Sequence, residues 1–368
     1  MANPYQRVPD LLARLLGSGR AGSFHLDYST NASLEKVLNS SVWGYREILL
    51  VMVVGRLLDP TYSACTNFYA CHPRSLFENH IRPILRENGI PHRKSGPLNI
   101  AKGAEGINEQ WAARRRDPEV APLVVSLTKA IDQMTQSELE HFGAALMRGL
   151  ADLASHIAGL TGEEVPESEP EVLYRLCKDL IVEVPDGGNT PQRIVGLLMY
   201  TYHASLGDGV VVSGHEDRAS VTSTTSHKPG DIQEEKPDGE VLSVYEVTVK
   251  PFTDARITES FDTLKLSERR TGYVTQEVFV LCRPDDVPES AAKTGDAAQY
   301  LGRTQYEDTV YHFVDIFEWT MGQLLRMTPA ARLQFHTALH EYISDPNTSE
   351  QVKRCWTQLK ADLDLPLP

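Results

Sequence analysis

The sequence predicts an α+β protein in which a helical amino-terminal region precedes a region built on a mixed β-sheet. Apolar residues recur at three- and four-residue steps from 139 to 160, the period of an amphipathic helix. Valine-containing segments typical of strands follow residue 209, at 210–212 and around Glu246. Between these parts, the acidic segment TGEEVPESEP at 161–170 has two prolines and no apolar period. We therefore expect a mainly helical region at 1–165 and a sheet-containing region at 166–368.

The amino-terminal region contains several segments with helical periodicity. Helices are expected over 5–16, 35–58, 76–86, 123–131 and 139–160. The segment 35–58 is apolar nearly all round at its centre, which is typical of a buried core helix. Polar residues that favour helix starts precede it, namely Ser29, Thr30, Asn31 and Ser33.

The carboxy-terminal region alternates helical and strand-like segments. Helices are expected from 171 and over 192–206, 254–266, 324–343 and 350–363, and strands over 210–212, 274–281 and 310–319, with a loop-rich stretch at 285–304. A helix followed by strands in this order suits a mixed sheet flanked by helices.

Composition limits the class of protein. The longest apolar run, at 48–54, has seven residues and is far shorter than the roughly 18–20 that span a bilayer. The first residues, MANPYQRVPD, lack the apolar core of a signal peptide. Five cysteines without CxxC spacing argue against a disulfide framework and a structural zinc site. We expect a soluble, cytoplasmic protein with no membrane partner.

The charge is unevenly distributed along the chain. The net charge is −14, yet the first 120 residues carry 15 Lys and Arg against 11 Asp and Glu. Electrostatic attraction of phosphates acts over about a Debye length, ~8–10 Å, so a local basic surface can bind DNA within an acidic protein. The acidic total argues against non-specific DNA affinity only.

The stretch most informative about function is 225–252, TSHKPGDIQEEKPDGEVLSVYEVTVKPF. Asp231 follows a turn-rich approach, and a Lys-Pro-Asp-Gly turn then leads into a strand expected to carry Glu246, Thr248 and Lys250. Side chains two residues apart on a strand share a face. The sequence therefore predicts that Asp231, on a neighbouring element, lies close to the strand face that carries Glu246 and Lys250.

Two acids and a lysine in this arrangement fit metal-assisted hydrolysis of a phosphodiester. Mg²⁺ prefers one or two carboxylates together with water and phosphate oxygens, which Asp231 and Glu246 would provide. Lys250 would orient or deprotonate the attacking water, or stabilise charge on the phosphate. These residue types therefore predict a Mg²⁺-dependent phosphodiesterase.

An Asp, about fifteen residues, then Glu and a nearby Lys on an apolar strand resembles the PD-(D/E)XK nuclease signature. The resemblance implies a nuclease core with a mixed sheet flanked by helices, metal ligation by Asp231, Glu246 and the Val247 carbonyl, and a catalytic role for Lys250. The usual motif places lysine two residues after the glutamate, where this sequence has Thr248. Either Lys250 reaches the site, or another residue stabilises the charge.

A second resemblance covers most of the chain in order. The apolar helix, then DPTYSACTNFYACHPRSLFENHIRPIL and NGIPHRKSGPLNI, followed by the distant acid pair, is similar to the SacI-type restriction endonuclease family. This resemblance implies a homodimer that cuts double-stranded DNA at a short palindrome, with a cognate DNA methyltransferase encoded nearby. It also makes Arg74, Arg93 and Lys94 candidates for DNA contact. Each arginine of this basic stretch can equally lie on a solvated face.

The helix expected after the acid pair presents Arg256 close to the site. Arg256 either stabilises phosphate charge or pairs with Glu259 or Asp262. We therefore predict a Mg²⁺-dependent type II restriction endonuclease. Two alternatives remain open: a modification-dependent DNA endonuclease with the same core, and a catalytically silent DNA-binding or scaffold protein of a phage-defence system, which Thr248 permits.

Overall fold

A computed structural model of the chain describes residues 4–93, 96–115, 117–161, 166–217, 228–292 and 296–363. The chain divides into two compact units, Met1–Gly159 and Leu160–Pro368. The second unit contains a six-stranded mixed sheet, so the predicted α+β class is confirmed. Within the described ranges, no helix combines the length and the apolar character needed to cross a membrane.

The first unit is helical in its described parts. Its central helix is buried along almost its whole length because its residues are apolar on every side. The longest helix starts with a capping box, in which Thr135 and Glu138 each bond the other's backbone amide. The helices are α1 (Val8–Arg20), α2 (Tyr28–Leu38), α3 (Gly44–Leu58), α4 (Pro73–Leu76), α5 (Arg82–Glu87), α6 (Gly96–Ala101), α7 (Glu109–Ala112), α8 (Ala121–Gln133) and α9 (Gln136–Ala158).

The prediction of one helix over 35–58 was wrong, because this segment contains the end of α2 and the whole of α3. Asp27 caps α2 by accepting the Thr30 amide, so the expected cap residues 29–33 lie inside the helix. After α2, the Ser40 hydroxyl accepts the Val42 amide at 3.0 Å. Short polar side chains of this kind compete with helical hydrogen bonds and favour a break.

The second unit places helices on both faces of its sheet. The strands are β1 (Val211–Ser213), β2 (Ile232–Glu235), β3 (Val241–Val247), β4 (Glu277–Cys282), β5 (Tyr300–Tyr306) and β6 (Thr309–Asp315), in the order β1-β2-β3-β4-β6-β5. Only the β3–β4 and β4–β6 pairs are parallel. The helices are α10 (Pro170–Glu183), α11 (Asn189–Leu206), α12 (Asp254–Thr271), α13 (Ile316–Arg326), α14 (Pro329–Ser344) and α15 (Glu350–Leu363).

Two separate apolar clusters cover the two sheet faces. One joins Val247 and Leu281 to side chains of α10, α11, α13, α14 and α15. The other joins Val244, Val280 and Phe313 to Ile257 and Leu264 of α12. Because Glu246 follows Val244 by two residues, it lies on the α12 face.

The predicted strand over 310–319 ends early, at Asp315. The Asp315 carboxylate accepts the Phe317 amide at 2.8 Å and the Glu318 amide at 3.2 Å, which caps α13. The predicted helix over 324–343 is likewise divided, because α13 ends at Arg326 and Thr328 caps α14. The end of the loop predicted at 285–304 forms the start of β5.

Candidate active site

The predicted turn at 236–239 joins β2 and β3 as an antiparallel hairpin. Gly239 has φ +89° and donates its amide to the Lys236 carbonyl at 2.9 Å. The strand register pairs Ile232 with Tyr245. One step further along this register, Asp231 is opposite Glu246, which is the spacing of a cross-strand pair on one face.

The Asp231 and Glu246 carboxyl groups lie close enough to influence each other's pKa. The Val247 amide donates to Asp231 Oδ2 at 3.0 Å, and the Ser260 hydroxyl of α12 donates to Glu246 Oε1 at 2.9 Å. Burial, and secondly the Asp231 charge, raises the pKa of Glu246 to about 8. Burial also raises the pKa of Asp231, against the opposing effects of the Val247 amide and the Arg256 guanidinium. Each raised pKa favours the protonated form, so the pair holds a proton near neutral pH.

Two glycines allow the close packing that positions Asp231. Gly214, just after β1, has φ +91°, and a Cβ there would lie 2.1 Å from the Asp231 carbonyl oxygen. At Gly230 a Cβ would lie 2.6 Å from Val244 Cγ1. Gly230 is thus needed for close approach to β3.

Gly214→Ala tests this positioning. The alanine would be strained at φ +91° and would clash with the Asp231 carbonyl oxygen. We expect a loss of about 2–4 kcal/mol in the free energy of unfolding, together with loss of any activity that depends on Asp231. Gly207→Ala is the matched control, because its φ is +63° and the space around it is open. Equal effects of both changes in denaturant titrations would contradict this account.

Arg256 lies at the acid pair on the first turn of α12. Its Nη1 donates to Thr248 Oγ1 at 2.6 Å, and its guanidinium lies 4.8 Å from the centre of the Phe252 ring. Its positive charge lowers the pKa of both Asp231 and Glu246. Of the two roles considered for Arg256, this arrangement favours a charge directed at the site over a pair with Glu259 or Asp262.

The expectation that Glu246, Thr248 and Lys250 share one strand face was wrong for Lys250. β3 ends at Val247, so strand alternation does not place Lys250. The Lys250 amide donates to Thr248 Oγ1 at 3.1 Å, and the Lys250 side chain is exposed. This local bond closes a turn at the strand end. Thr248 therefore receives Arg256 on the side of the acid pair, and Lys250 lies in the turn that follows.

The other predicted DNA contacts belong to the first unit. Arg74 lies on α4 with an exposed side chain. Arg93 is exposed, and its amide donates to Glu47 Oε1 at 2.6 Å. Lys94 lies outside the described residues. DNA contact by these three residues stays a prediction.

The sequence places Arg256 near the site, but it does not reveal the bond from Ser260 to Glu246 or the bond from Arg256 to Thr248. The spacing of Arg256 and Ser260 was the available signal. Residues four apart on a helix share a face. If Arg256 points at the acid pair, Ser260 therefore points at it too.

The donor set of the site fits Mg²⁺. The described residues include no group of three or more His, Cys, Asp and Glu side chains able to hold a metal ion. Mg²⁺ does not need such a group, since it commonly takes one or two carboxylates and completes its shell with water and phosphate. Two carboxyl groups that share a proton in a desolvated position repel each other once ionised, and a divalent cation relieves that repulsion.

No protein-family model matches the chain, and no curated protein matches it.

Proposed function

We propose that this protein is a Mg²⁺-dependent endonuclease that hydrolyses phosphodiester bonds of double-stranded DNA, as a homodimer at a short palindromic site. The observation that carries the proposal is the register of the β2–β3 hairpin, which places Asp231 opposite Glu246, close enough for each carboxyl group to influence the pKa of the other. The mixed sheet, the helix across the face that carries the two acids, and the excess of Lys and Arg in the first 120 residues support it. A cognate DNA methyltransferase encoded nearby is the partner activity that the proposal expects.

Each side chain has a role in this proposal. Asp231 and Glu246 hold Mg²⁺, with the Val247 carbonyl as a further ligand, and the bound ion supplies Lewis acidity toward a phosphate oxygen. Ser260 orients Glu246 by donating to Oε1. The Val247 amide holds Asp231 in place. Both carboxylates must be ionised to bind the ion, so Glu246 gives up its proton on binding.

Arg256 is proposed to take the charge-stabilising role that the usual motif gives to lysine. Its guanidinium is fixed by Thr248 and Phe252 and lies close enough to influence both acids. A guanidinium presents a planar set of donors that matches a phosphate, and it stays charged at working pH. Lys250 remains the alternative, since its flexible chain can reach a bound strand from the turn.

Paired substitutions separate these two candidates. We expect Arg256→Ala to lower kcat by about 10²–10³-fold, because one charge-stabilising donor is worth roughly 2.7–4 kcal/mol. Arg256→Lys should recover part of this loss. Lys250→Ala should change kcat by less than about threefold under the same conditions. A large loss in Lys250→Ala with little effect in Arg256→Ala would reverse the assignment.

Incubation of unmodified and modified plasmid DNA with the protein and Mg²⁺ or Mn²⁺ tests the activity itself. Discrete fragments from unmodified DNA support the proposed function. Fragments only from modified DNA indicate a modification-dependent endonuclease. Intact DNA with both substrates would contradict cleavage and leave a silent DNA-binding or scaffold protein, which Thr248 at the lysine position favours.

A further inference from the structure

A cavity of about 830 Å³ opens in the first unit beside α4 and α6. This volume is within the range of sites for small organic ligands. The acid pair belongs to the other unit. Its lining includes Tyr69, His72, Arg74, Asn79, Asn99 and Lys102.

The polar side chains of the cavity offer two kinds of recognition. Arg74 and Lys102 are exposed cations that can hold an anion. Asn79 and Asn99 are amides that can both donate and accept. The Asn79 side chain donates weakly to Ser75 Oγ at 3.4 Å, which leaves its carbonyl oxygen as an acceptor. An anion attached to a group with its own donors and acceptors matches this lining.

Tyr69 adds a planar surface. Its ring is 40% exposed, packs edge-on against Phe68 with centroids 5.6 Å apart, and is tethered by its hydroxyl to the Ala101 carbonyl at 3.3 Å. The ring is therefore held in a fixed orientation while part of it faces outward. A flat ring stacks on such a surface with little loss of side-chain freedom.

The backbone of the wall is irregular at two places. His72 has φ +45° and ψ +59°, a left-handed conformation that costs a residue other than glycine roughly 1 kcal/mol or more. The segment Phe77–Ile81 forms a π-helical turn between α4 and α5. Conformations of both kinds are concentrated at binding sites because they point side chains in directions that a regular helix does not allow.

We propose that this cavity binds a single nucleotide, with its phosphate on Arg74 and Lys102, its base stacked on Tyr69, and the base edge read by Asn79 and Asn99. Glu78 also lines the cavity, and a carboxylate accepts hydrogen bonds from an exocyclic amino group. Amino-bearing bases are therefore preferred over thymine. The nucleotide comes either from the free pool or from a duplex, turned out of the stack. Neither source requires cleavage, so the inference stands apart from the proposed function.

Titration of the full chain with single nucleotides in EDTA tests the first source. Calorimetry with dAMP, dCMP, dGMP and TMP, and with the matching nucleosides, should show 5′-phosphates binding at least about tenfold more tightly than nucleosides. TMP should bind most weakly. The second source is tested with a duplex that carries 2-aminopurine opposite an abasic position or opposite thymine. The abasic duplex should bind more tightly and give a rise in fluorescence, because the unpaired base costs less to extrude.

A charge-matched pair of double variants makes the test specific to the cavity. Arg74→Ala with Lys102→Ala should weaken nucleotide binding by about tenfold or more. Arg14→Ala with Lys36→Ala removes two exposed cations of the same unit that do not line the cavity, and it should leave binding within about twofold. Should the first double variant unfold at a lower temperature, Asn99→Ala replaces it with the same expectation.

Each outcome of these titrations either supports or overturns the proposal. Saturable binding of free nucleotides that the cavity variant weakens supports the proposal with a free ligand, and weakened binding only of the abasic duplex supports a nucleotide within a strand. The proposal is overturned if none of the probes binds saturably at millimolar concentration, if nucleosides bind as tightly as nucleotides, or if both double variants behave alike.

Discussion

Asp231→Asn is expected to abolish DNA cleavage and leave DNA binding within a few-fold of the unchanged protein. The amide keeps an acceptor for the Val247 amide but removes one of the two charges that hold Mg²⁺. We expect at least a 10³-fold fall in kcat, about 4 kcal/mol. Stability should hold or rise, because the change removes the repulsion between two desolvated acids. Cleavage in Mg²⁺ and binding in Ca²⁺, measured on one preparation, separate these effects.

Asp238→Asn is the matched control for this prediction. Asp238 lies in the turn of the same hairpin, is exposed, and accepts the Glu240 amide at 3.2 Å. The substitution therefore removes the same charge from the same hairpin and keeps the local hydrogen bond. Cleavage should stay within about twofold. If Asp231→Asn still cut DNA at a normal rate, Asp231 would have no place in the mechanism.

Glu246 should make the metal-free protein less stable as pH rises from about 4.5 to about 8. The folded pKa of about 8 lies above the ordinary value of 4.5. Over this window the folded state keeps a proton that the unfolded state has lost, so the free energy of unfolding falls as pH increases. The contribution is on the order of 5 kcal/mol, since the pKa rises from 4.5 to about 8 and each pKa unit is worth about 1.4 kcal/mol; it is present below pH 4.5 and lost through pH 8. Added Mg²⁺ should restore stability at pH 8 and release close to one proton at pH 7.

Glu246→Gln isolates this contribution from that of His203. The His203 ring bonds Asp208 Oδ2 at 2.7 Å and Glu234 Oε1 at 2.9 Å. Burial lowers the pKa of His203, but the two carboxylates raise it by more, so the net pKa is raised. The stabilisation that charged His203 gives to the folded protein is therefore also lost as pH rises. The glutamine variant should keep the parts of the slope that come from His203 and from Asp231, whose pKa burial also raises, and lose the part that comes from Glu246. Melting in EDTA at several pH values gives the comparison, and an unchanged slope would show that Glu246 holds no proton in the folded state.

The parts of the fold that follow from local pattern were predictable. The helices α8 and α9 and the hairpin turn at 236–239 follow from apolar period and turn chemistry, which act within a few residues. The approach of Asp231 to Glu246 was also predictable, because a short turn between two strands fixes which residues are opposite each other. These features depend on neighbours in the sequence.

The errors occurred where short polar residues override an apolar pattern. Ser40 interrupts the segment predicted as one helix, and Asp315 starts a helix inside a predicted strand. At the site, Thr248 bonds the amide two residues ahead and ends β3 before Lys250. The position of Arg256 depends on how α12 packs across the sheet, and the single sequence carries only its helical spacing from Ser260.

The hairpin has a consequence for how the acid pair assembles. About fifteen residues separate Asp231 from Glu246, so closing the loop between them costs little chain entropy. A hairpin forms on a microsecond scale, well before contacts between distant segments. The two acids can thus meet early, and their mutual repulsion opposes hairpin formation whenever both are ionised. Proton uptake by Glu246 removes this opposition, so we expect refolding without Mg²⁺ to be faster in mild acid than at pH 8.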